Sequence, residues 1–257
     1  MRGLMCKMIV GIMVAGLSQY GFGASESDQA TQNVKSMSVA ELEKAGDACR
    51  ARKDYQQAIQ YFHEALRRDN KNAVLYNKLG MAELTGGDLQ SARADFEKAA
   101  KVNKKYAEAF NNIGAVYFLQ NKFGQATKYF NKAVALDEGR APFHLNLGAA
   151  WFRQEKLDRA RNEYTRALEL DPMVLEENAR VGITAQVSSP EERAKLYYLL
   201  AKIEATRGDV QECLACLKKA KDNGYRNLAN VYKDEEFSRL WEDARLAEIV
   251  PPPAPKQ

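Results

Sequence analysis

Metal-binding and thiol chemistry have few residues to use in this chain, which holds two histidines and four cysteines among 257 residues. His63 and His144 lie far from the Cys213-x-x-Cys216 pair in the sequence, which argues against a zinc cluster. A glycine-rich phosphate loop is also missing, because Gly86-Gly87 is typical of a tight turn. No nucleophile stands beside a base in a recognisable pattern. We therefore expect neither an enzyme nor a bound metal or cofactor.

A large excess of charge of one sign is missing too. The 38 lysines and arginines exceed the 34 aspartates and glutamates by four, and we expect the two signs to alternate along the whole chain. A nucleic-acid-binding surface requires a strong, clustered excess of basic residues. The composition therefore predicts no nucleic-acid partner, and the charges are expected to form the solvated faces of helices.

Long hydrophobic runs are limited to one, Met8–Leu17, which is too short to span a bilayer comfortably. Arg2 and Lys7 precede this run and small residues follow it, as in a signal peptide. We predict a signal peptide at residues 1–24 and export to a bacterial periplasm or beyond. The alternative is an uncleaved N-terminal membrane anchor. The sequence contains no second apolar run, so we predict no other contact with a membrane.

What the chain does contain is a repeat. Gly80, Gly114 and Gly148 follow each other at intervals of 34 residues. The same interval separates a series of alanines and a series of aromatic residues: Ala92, Ala126 and Ala160; Phe96, Phe130 and Tyr164. A fixed period of this size is typical of stacked units that bury their apolar faces against each other. The period predicts four units, at 39–72, 73–106, 107–140 and 141–174.

The third unit carries the clearest family pattern. Its key residues are Phe110, Ile113, Gly114, Tyr117, Ala126 and Phe130, spaced as F-x2-I-G-x2-Y and A-x3-F. This pattern resembles the tetratricopeptide repeat (TPR). The resemblance implies an all-α fold, a right-handed superhelical solenoid of stacked antiparallel helix pairs. Within each pair, the small residues are expected where the two helices cross most closely.

The segments outside the regular period have separate predictions. Residues 25–38 are polar and predict a disordered linker. Residues 175–193 predict an irregular insert, in which 181–187 are either extended or helical. Residues 194–249 fit the template again and predict a fifth, degenerate TPR-like hairpin followed by a helical C-terminal cap. Residues 250–257 predict a solvated proline-rich tail.

The resemblance implies a concave groove lined by the first helix of each unit, which would bind a peptide or protein segment. Asparagine side chains in a row can hold a peptide backbone, because a carboxamide both donates and accepts hydrogen bonds. The alternative is that these asparagines stabilise neighbouring repeats. The predicted groove residues are Asn77, Met81, Leu84, Asn111, Asn112, Ala115, Phe118, Leu145, Asn146, Ala149, Phe152 and Arg153.

The sequence favours an exported, non-catalytic interaction scaffold, and two alternatives stay open. One is a structural subunit of a cell-envelope complex that uses its convex face or its C-terminal cap. The other is a thiol or redox protein built on Cys213 and Cys216, although Cys213 matches the small packing position of Ala126. Two acids in the first unit, Glu43 and Asp47, argue against a groove that binds a C-terminal carboxylate.

Overall fold

The computed structural model describes residues 34–172, 174 and 190–253, with only the backbone for Glu192. The predicted signal peptide, most of the linker, residues 181–187 and the last four residues of the tail lie outside this part. Within it, no helix combines the length and apolar character needed to cross a membrane. The helices are α1 (Val39–Ala51), α2 (Tyr55–Arg68), α3 (Ala73–Thr85), α4 (Leu89–Val102), α5 (Ala107–Leu119), α6 (Phe123–Leu136), α7 (Ala141–Phe152), α8 (Leu157–Leu170), α9 (Pro190–Arg207), α10 (Val210–Asp222) and α11 (Ala244–Ile249), with 3₁₀ helices at Leu228–Tyr232 and Glu235–Leu240.

Consecutive helices pair, from α1 with α2 to α9 with α10, and each second helix also packs against the first helix of the next pair. The predicted all-α solenoid of stacked helix pairs is confirmed. The first helices α1, α3, α5 and α7 also contact one another in order, whereas successive second helices show no comparable contact in the described residues. Because the helices on the inside of a curved stack lie closer together, the first helices line the concave side.

A glycine and an aromatic ring set the spacing within each regular pair. A Cβ atom on Gly114 would lie 2.7 Å from the Phe130 ring, and one on Gly80 would lie 2.7 Å from Phe96. Gly46 and Gly148 face aromatic rings in the same way. The prediction of small residues at the closest helix crossing is therefore confirmed, because any side chain at these positions would overlap a buried ring.

The turn inside each regular pair contains one residue with positive φ. The four residues lie 34 apart: Lys53 (φ 65°), Gly87 (φ 94°), Asn121 (φ 58°) and Glu155 (φ 58°). Glycine suits this conformation best, and asparagine tolerates it better than most side chains. In the second pair, Asp88 then caps α4 by accepting from the backbone N–H groups of Gln90 and Ser91, which stabilises the start of this helix.

Three segment boundaries need correction. Residues 34–36, assigned to the disordered linker, are helical. Each of these three residues also takes part in a bonding or electrostatic interaction, which the polar composition of the linker did not predict. Helix α9 begins at Pro190, so the last residues of the predicted insert are helical; proline suits a first helical position because no hydrogen bond is lost there. Val250, assigned to the tail, is buried, and its carbonyl accepts from the Tyr232 hydroxyl at 2.7 Å.

Buried apolar residues of the C-terminal segment cover the fifth hairpin. Phe237, Leu240 and Leu246 are buried in one cluster with residues of α9 and α10. The Trp241 indole N–H donates to the Val231 carbonyl at 2.8 Å and fixes the two 3₁₀ helices together. The segment therefore protects the last apolar face of the stack, as a terminal cap must.

Candidate functional site

A chain of asparagine side chains crosses the concave side. Asn146 Nδ2 donates to Asn111 Oδ1 at 2.9 Å, and Asn112 Nδ2 donates to Asn77 Oδ1 at 2.8 Å. Asn111 Nδ2 donates to Asn112 Oδ1 at 3.3 Å and joins the two pairs. The ladder therefore links α3, α5 and α7. These contacts between repeats agree with the alternative prediction, that the asparagines stabilise neighbouring repeats.

The ladder leaves donors available on its partly exposed members. An amide nitrogen carries two N–H groups, and Asn111, Asn112 and Asn146 each use one of them within the ladder. All three side chains are partly exposed. Asn77 is buried and its Nδ2 approaches Met81 Sδ at 3.7 Å instead. The concave side can thus offer N–H groups to the carbonyl oxygens of a ligand.

The apolar part of the predicted groove is mostly core. Phe118, Ala149 and Phe152 are buried, and Ala115 and Leu145 are only 0% and 1% exposed. These side chains meet the neighbouring repeat because the first helices approach each other closely. Ala115 and Leu145 have no surface on which a ligand could rest, and the two phenylalanines form no open pockets. Of the predicted apolar residues, Met81 and Leu84 remain partly exposed.

Arg153 directly follows α7 and packs against two aromatic rings. Its guanidinium lies 4.5 Å from the centre of the Phe123 ring and 5.9 Å from that of Phe118. The two rings meet edge to face at 5.3 Å. A cation above such rings is favourable, so Arg153 covers the Phe118 side chain that was predicted to bind a ligand.

The acids of the first repeat are not free. Lys78 Nζ contacts Glu43 Oε1 and Asp47 Oδ2, each at 2.5 Å. Desolvation lowers the pKa of Lys78, but the hydrogen bonds and charges of Asp47 and Glu43 outweigh this effect and raise it overall. Arg50 also pairs with Asp47, at 3.5 Å. The argument that Glu43 and Asp47 repel a carboxylate therefore needs correction, because the two acids and the two cations together carry no net charge.

Three models of the tetratricopeptide repeat family match the chain, over residues 42–72, 71–139 and 141–173. Together these matches cover 98 residues from 42 to 139 and 33 from 141 to 173, or 131 of 257. The chain belongs to the tetratricopeptide repeat family.

Solved TPR structures share the fold at low sequence identity. A MamA protein from Desulfovibrio magneticus RS-1 is 20% identical, with 72% of this chain and 94% of that chain covered and a TM-score of 0.51. YrrB, described as a TPR protein with an unusual peptide-binding site, is 20% identical, with coverage of 82% and 99% and a TM-score of 0.50. No curated protein sequence is similar enough to be counted as a relative. At these identities the comparison establishes the fold.

Tyr106 is a concave-side residue that sequence reasoning missed. Its side chain interacts with Asn77, Lys78 and Glu108, and burial is the largest cause of its raised pKa. It precedes the first helix of the third TPR unit and has no aromatic counterpart in the other regular units, where Ser38, Asn72 and Arg140 occupy the same position. The period therefore contained no signal for it.

The two cysteines of the fifth TPR-like hairpin are packing residues. Cys213 and Cys216 are both buried and unbridged. Burial is the main cause that raises the pKa of both thiols to about 12. A reactive cysteine needs the opposite, an accessible thiol with a lowered pKa. The structure thus gives no support to the thiol or redox alternative.

His144 occupies the aromatic packing position of the fourth TPR unit, as predicted, and is buried. Its Nδ1 lies 2.7 Å from Glu163 Oε2, and its Nε2 lies 3.0 Å from the Glu138 carbonyl oxygen. The ring therefore connects α7 both to α8 and to the loop that ends the third unit. Across the described residues, no group of three or more histidine, cysteine or acidic side chains could hold a metal ion.

Proposed function

We propose that this TPR protein is a non-catalytic scaffold that binds an extended polypeptide segment on its concave side. The observation that carries the proposal is the row of available N–H groups on Asn111, Asn112 and Asn146. An extended chain presents unpaired backbone carbonyls to such donors, whereas a helix uses its own carbonyls internally. Backbone recognition of this kind does not depend on the side chains of the ligand.

Other residues of the concave side add contacts around this row. Met81 and Leu84 are partly exposed and offer apolar surface near the Asn77 end of the ladder. Beyond them, Lys78 and Arg50 neutralise the charges of Glu43 and Asp47. A segment with an apolar residue near one end fits this arrangement. YrrB, as a TPR protein described with a peptide-binding site, is consistent with the proposal.

The test uses peptides selected from a randomised displayed library against the full chain. Binding to the selected peptide is measured for wild type and for the double variant Asn111→Ala, Asn146→Ala. Loss of two hydrogen bonds of about 1 kcal/mol each should weaken binding roughly thirty-fold. The matched control is Asn162→Ala, which removes an exposed carboxamide from the second helix α8.

Helical content and thermal unfolding of each variant show whether it is folded. Phe118→Ala and Phe152→Ala are unsuitable as test variants, because both rings are buried and their loss would disrupt the core. Equal peptide affinity for wild type and for the folded Asn111→Ala, Asn146→Ala variant would refute the concave site.

We further propose that residues 1–24 direct export of the chain, with the protein acting in the periplasm or outside the cell. The basic start, the short apolar run and the small residues after it support this. Fractionation of cells that express the full chain tests the proposal, together with mass spectrometry of the N-terminus. Recovery of the uncleaved chain from the cytosol would contradict it.

The cap alternative receives little support. The apolar side chains Phe237, Leu240 and Leu246 pack inside the protein and are not available to a partner. Of the large apolar residues in this segment, only Trp241 is markedly exposed. The convex side is different, because its charges are unevenly distributed.

A further inference from the structure

The expected alternation of charges along the chain fails between residues 98 and 132. This stretch contains seven lysines, no arginine and one acid, Glu108, a net charge of 7 − 1 = +6. Because the whole chain has a net charge of +4, all the remaining residues together carry 4 − 6 = −2. The positive charge of the protein is therefore concentrated in about one repeat. The lysines are Lys98, Lys101, Lys104, Lys105, Lys122, Lys128 and Lys132, and all are exposed.

Four of these lysines lie on the second helices α4 and α6, which form the outer side of the stack: Lys98, Lys101, Lys128 and Lys132. The other three lie in the loops that border these helices. Helix α6 has no acidic residue at all. Its Lys128 and Lys132 are four residues apart, a spacing at which like charges repel each other on a helix. We call the seven lysines the basic outer surface.

Few of these charges have a partner. Lys98 Nζ pairs with Asp95 Oδ1 at 2.6 Å, and Lys132 Nζ lies 3.9 Å from the centre of the Phe110 ring. Across residues 34–172 and 190–253, no ion pair involves any of the other five lysines. The charges of these five lysines are therefore not compensated by an ion pair in the described residues.

Exposed apolar side chains accompany the lysines. Val102 is 41% exposed and Leu136 is 37% exposed, and they are two of the few large apolar residues in the described chain with so much surface. They end α4 and α6 and lie 34 residues apart, so they take the same place in successive repeats. Val102 follows Lys101 directly. The surface thus combines positive charge with exposed apolar area.

We propose that the basic outer surface docks an acidic polypeptide segment that also carries apolar residues. Lysine supplies hydrated point charges without the bidentate geometry that arginine offers to phosphates, so nucleic acid is disfavoured. A flat anionic bilayer is disfavoured because the surface lies on the convex side, across the junction of the second and third repeats. Asp137 and Glu138, exposed just beyond Leu136, would also face such a bilayer. A flexible segment can follow the curvature and avoid both acids.

The experiment measures fluorescence anisotropy of a labelled synthetic peptide rich in glutamate and leucine, titrated with the full chain. The test variant is Lys101→Gln, Lys128→Gln, Lys132→Gln. The matched control is Lys71→Gln, Lys218→Gln, Lys233→Gln, which removes the same charge from exposed lysines elsewhere. We expect roughly ten-fold weaker binding for the test variant and less than about a two-fold change for the control. Binding should also weaken as salt rises, because exposed charges are screened.

Three results would overturn the proposal. The first is equal affinity loss in the two variants, which would mean that only net charge matters. The second is no binding of the peptide at low salt. The third is tight binding to phosphatidylglycerol vesicles or to a single-stranded oligonucleotide that the peptide does not displace. The Asn111→Ala, Asn146→Ala variant should retain full binding of the acidic peptide, so that failure of the concave site and failure of this surface are distinguishable.

Discussion

The second and third repeats, residues 73–106 and 107–140, share a scaffold and differ in its interior. Both place a glycine against a buried phenylalanine, Gly80 against Phe96 and Gly114 against Phe130. A Cβ atom added to either glycine would lie 2.7 Å from the facing ring. These positions thus set the closest approach of the two helices in each repeat. Another pair of facing residues on the same two helices differs between the repeats.

The variation concerns one pair of facing residues. In the third repeat, Tyr117 and Tyr129 stack with ring centres 5.4 Å apart. The residues 34 positions earlier are Glu83 and Asp95, which are 6% and 4% exposed. Desolvation is the largest cause that raises the pKa of Glu83 to about 8, and the charge of Asp95 adds to it. Lys98 is the nearest cation and is bound to Asp95 at 2.6 Å.

The comparison shows that one template can hold two kinds of interior. A tyrosine pair gives the third repeat stacking that is independent of pH around neutrality. A pair of buried carboxyl groups makes the stability of the second repeat sensitive to pH, since burial and mutual repulsion disfavour the state in which both groups are negatively charged. The contributions of the shared scaffold and of the differing pair to stability can be measured separately. The substitutions that do this lie in the rings, the carboxyl pair, the asparagines and the turns.

The shared scaffold predicts equal losses in the two repeats. Phe96→Ala and Phe130→Ala each remove a fully buried ring, and each should lower the free energy of unfolding by about 3–5 kcal/mol. Urea unfolding followed by circular dichroism measures this. The control Gln125→Ala alters an exposed residue of α6 and should change little. A much smaller loss for one ring than for the other would break the equivalence of the repeats.

The carboxyl pair predicts a pH dependence that arises in the second repeat and has no counterpart in the third. The folded pKa of Glu83 lies above its ordinary value of 4.5, so the folded state holds the proton more tightly than the unfolded state. Stability is therefore full below about pH 4.5 and falls as the pH rises toward 8. At about 1.4 kcal/mol per pH unit, raising the pH from 4.5 to 7 should cost wild type roughly 3 kcal/mol.

Glu83→Gln should remove most of that pH dependence. Glu204, a buried carboxyl group of the fifth hairpin whose pKa is also raised chiefly by burial, remains in both proteins and cancels in the difference. Glu97→Gln, on the exposed face of α4, is the matched control and should keep the wild-type profile. If the free energy of unfolding fell equally for wild type and Glu83→Gln between pH 4.5 and 7, Glu83 would not be the source of the pH dependence.

The asparagine ladder joins the two repeats, and its loss should be moderate. Asn112 donates to Asn77 and accepts from Asn111. Asn112→Ala removes both hydrogen bonds and should lower the free energy of unfolding by about 1–2 kcal/mol. Urea unfolding beside the Asn162→Ala control measures the effect. No difference between the two variants would mean that the ladder contributes nothing to repeat stacking.

The turns give the smallest effect and opposite signs in the two repeats. Gly87 has φ 94°, so Gly87→Ala should destabilise the second repeat by roughly 1 kcal/mol. Asn121 has φ 58°, so Asn121→Gly should be neutral or stabilising by a few tenths of a kcal/mol. Melting temperatures of the two variants decide this. A lower melting temperature for Asn121→Gly would contradict the backbone argument.

The fold could be predicted from the sequence because it depends on residues that recur, such as Gly80, Gly114 and Gly148. The site could be predicted only in part. The period places Ala115 and Leu145 on the first helices, but it contains no information on how closely those helices approach, and both side chains prove to be buried. Contacts that occur once, such as Lys78 with Glu43 or Glu83 with Asp95, leave no periodic signal.

The central claim is that a polypeptide segment binds on the concave side, and photocrosslinking tests it most directly. A photoreactive amino acid replaces Leu84, on the first helix α3, in one protein and Gln60, on the exposed side of the second helix α2, in another. Each protein is irradiated with the library-selected peptide. The account predicts a crosslinked product from position 84 and none from position 60. Crosslinking from position 60 alone, with both proteins folded, would contradict it.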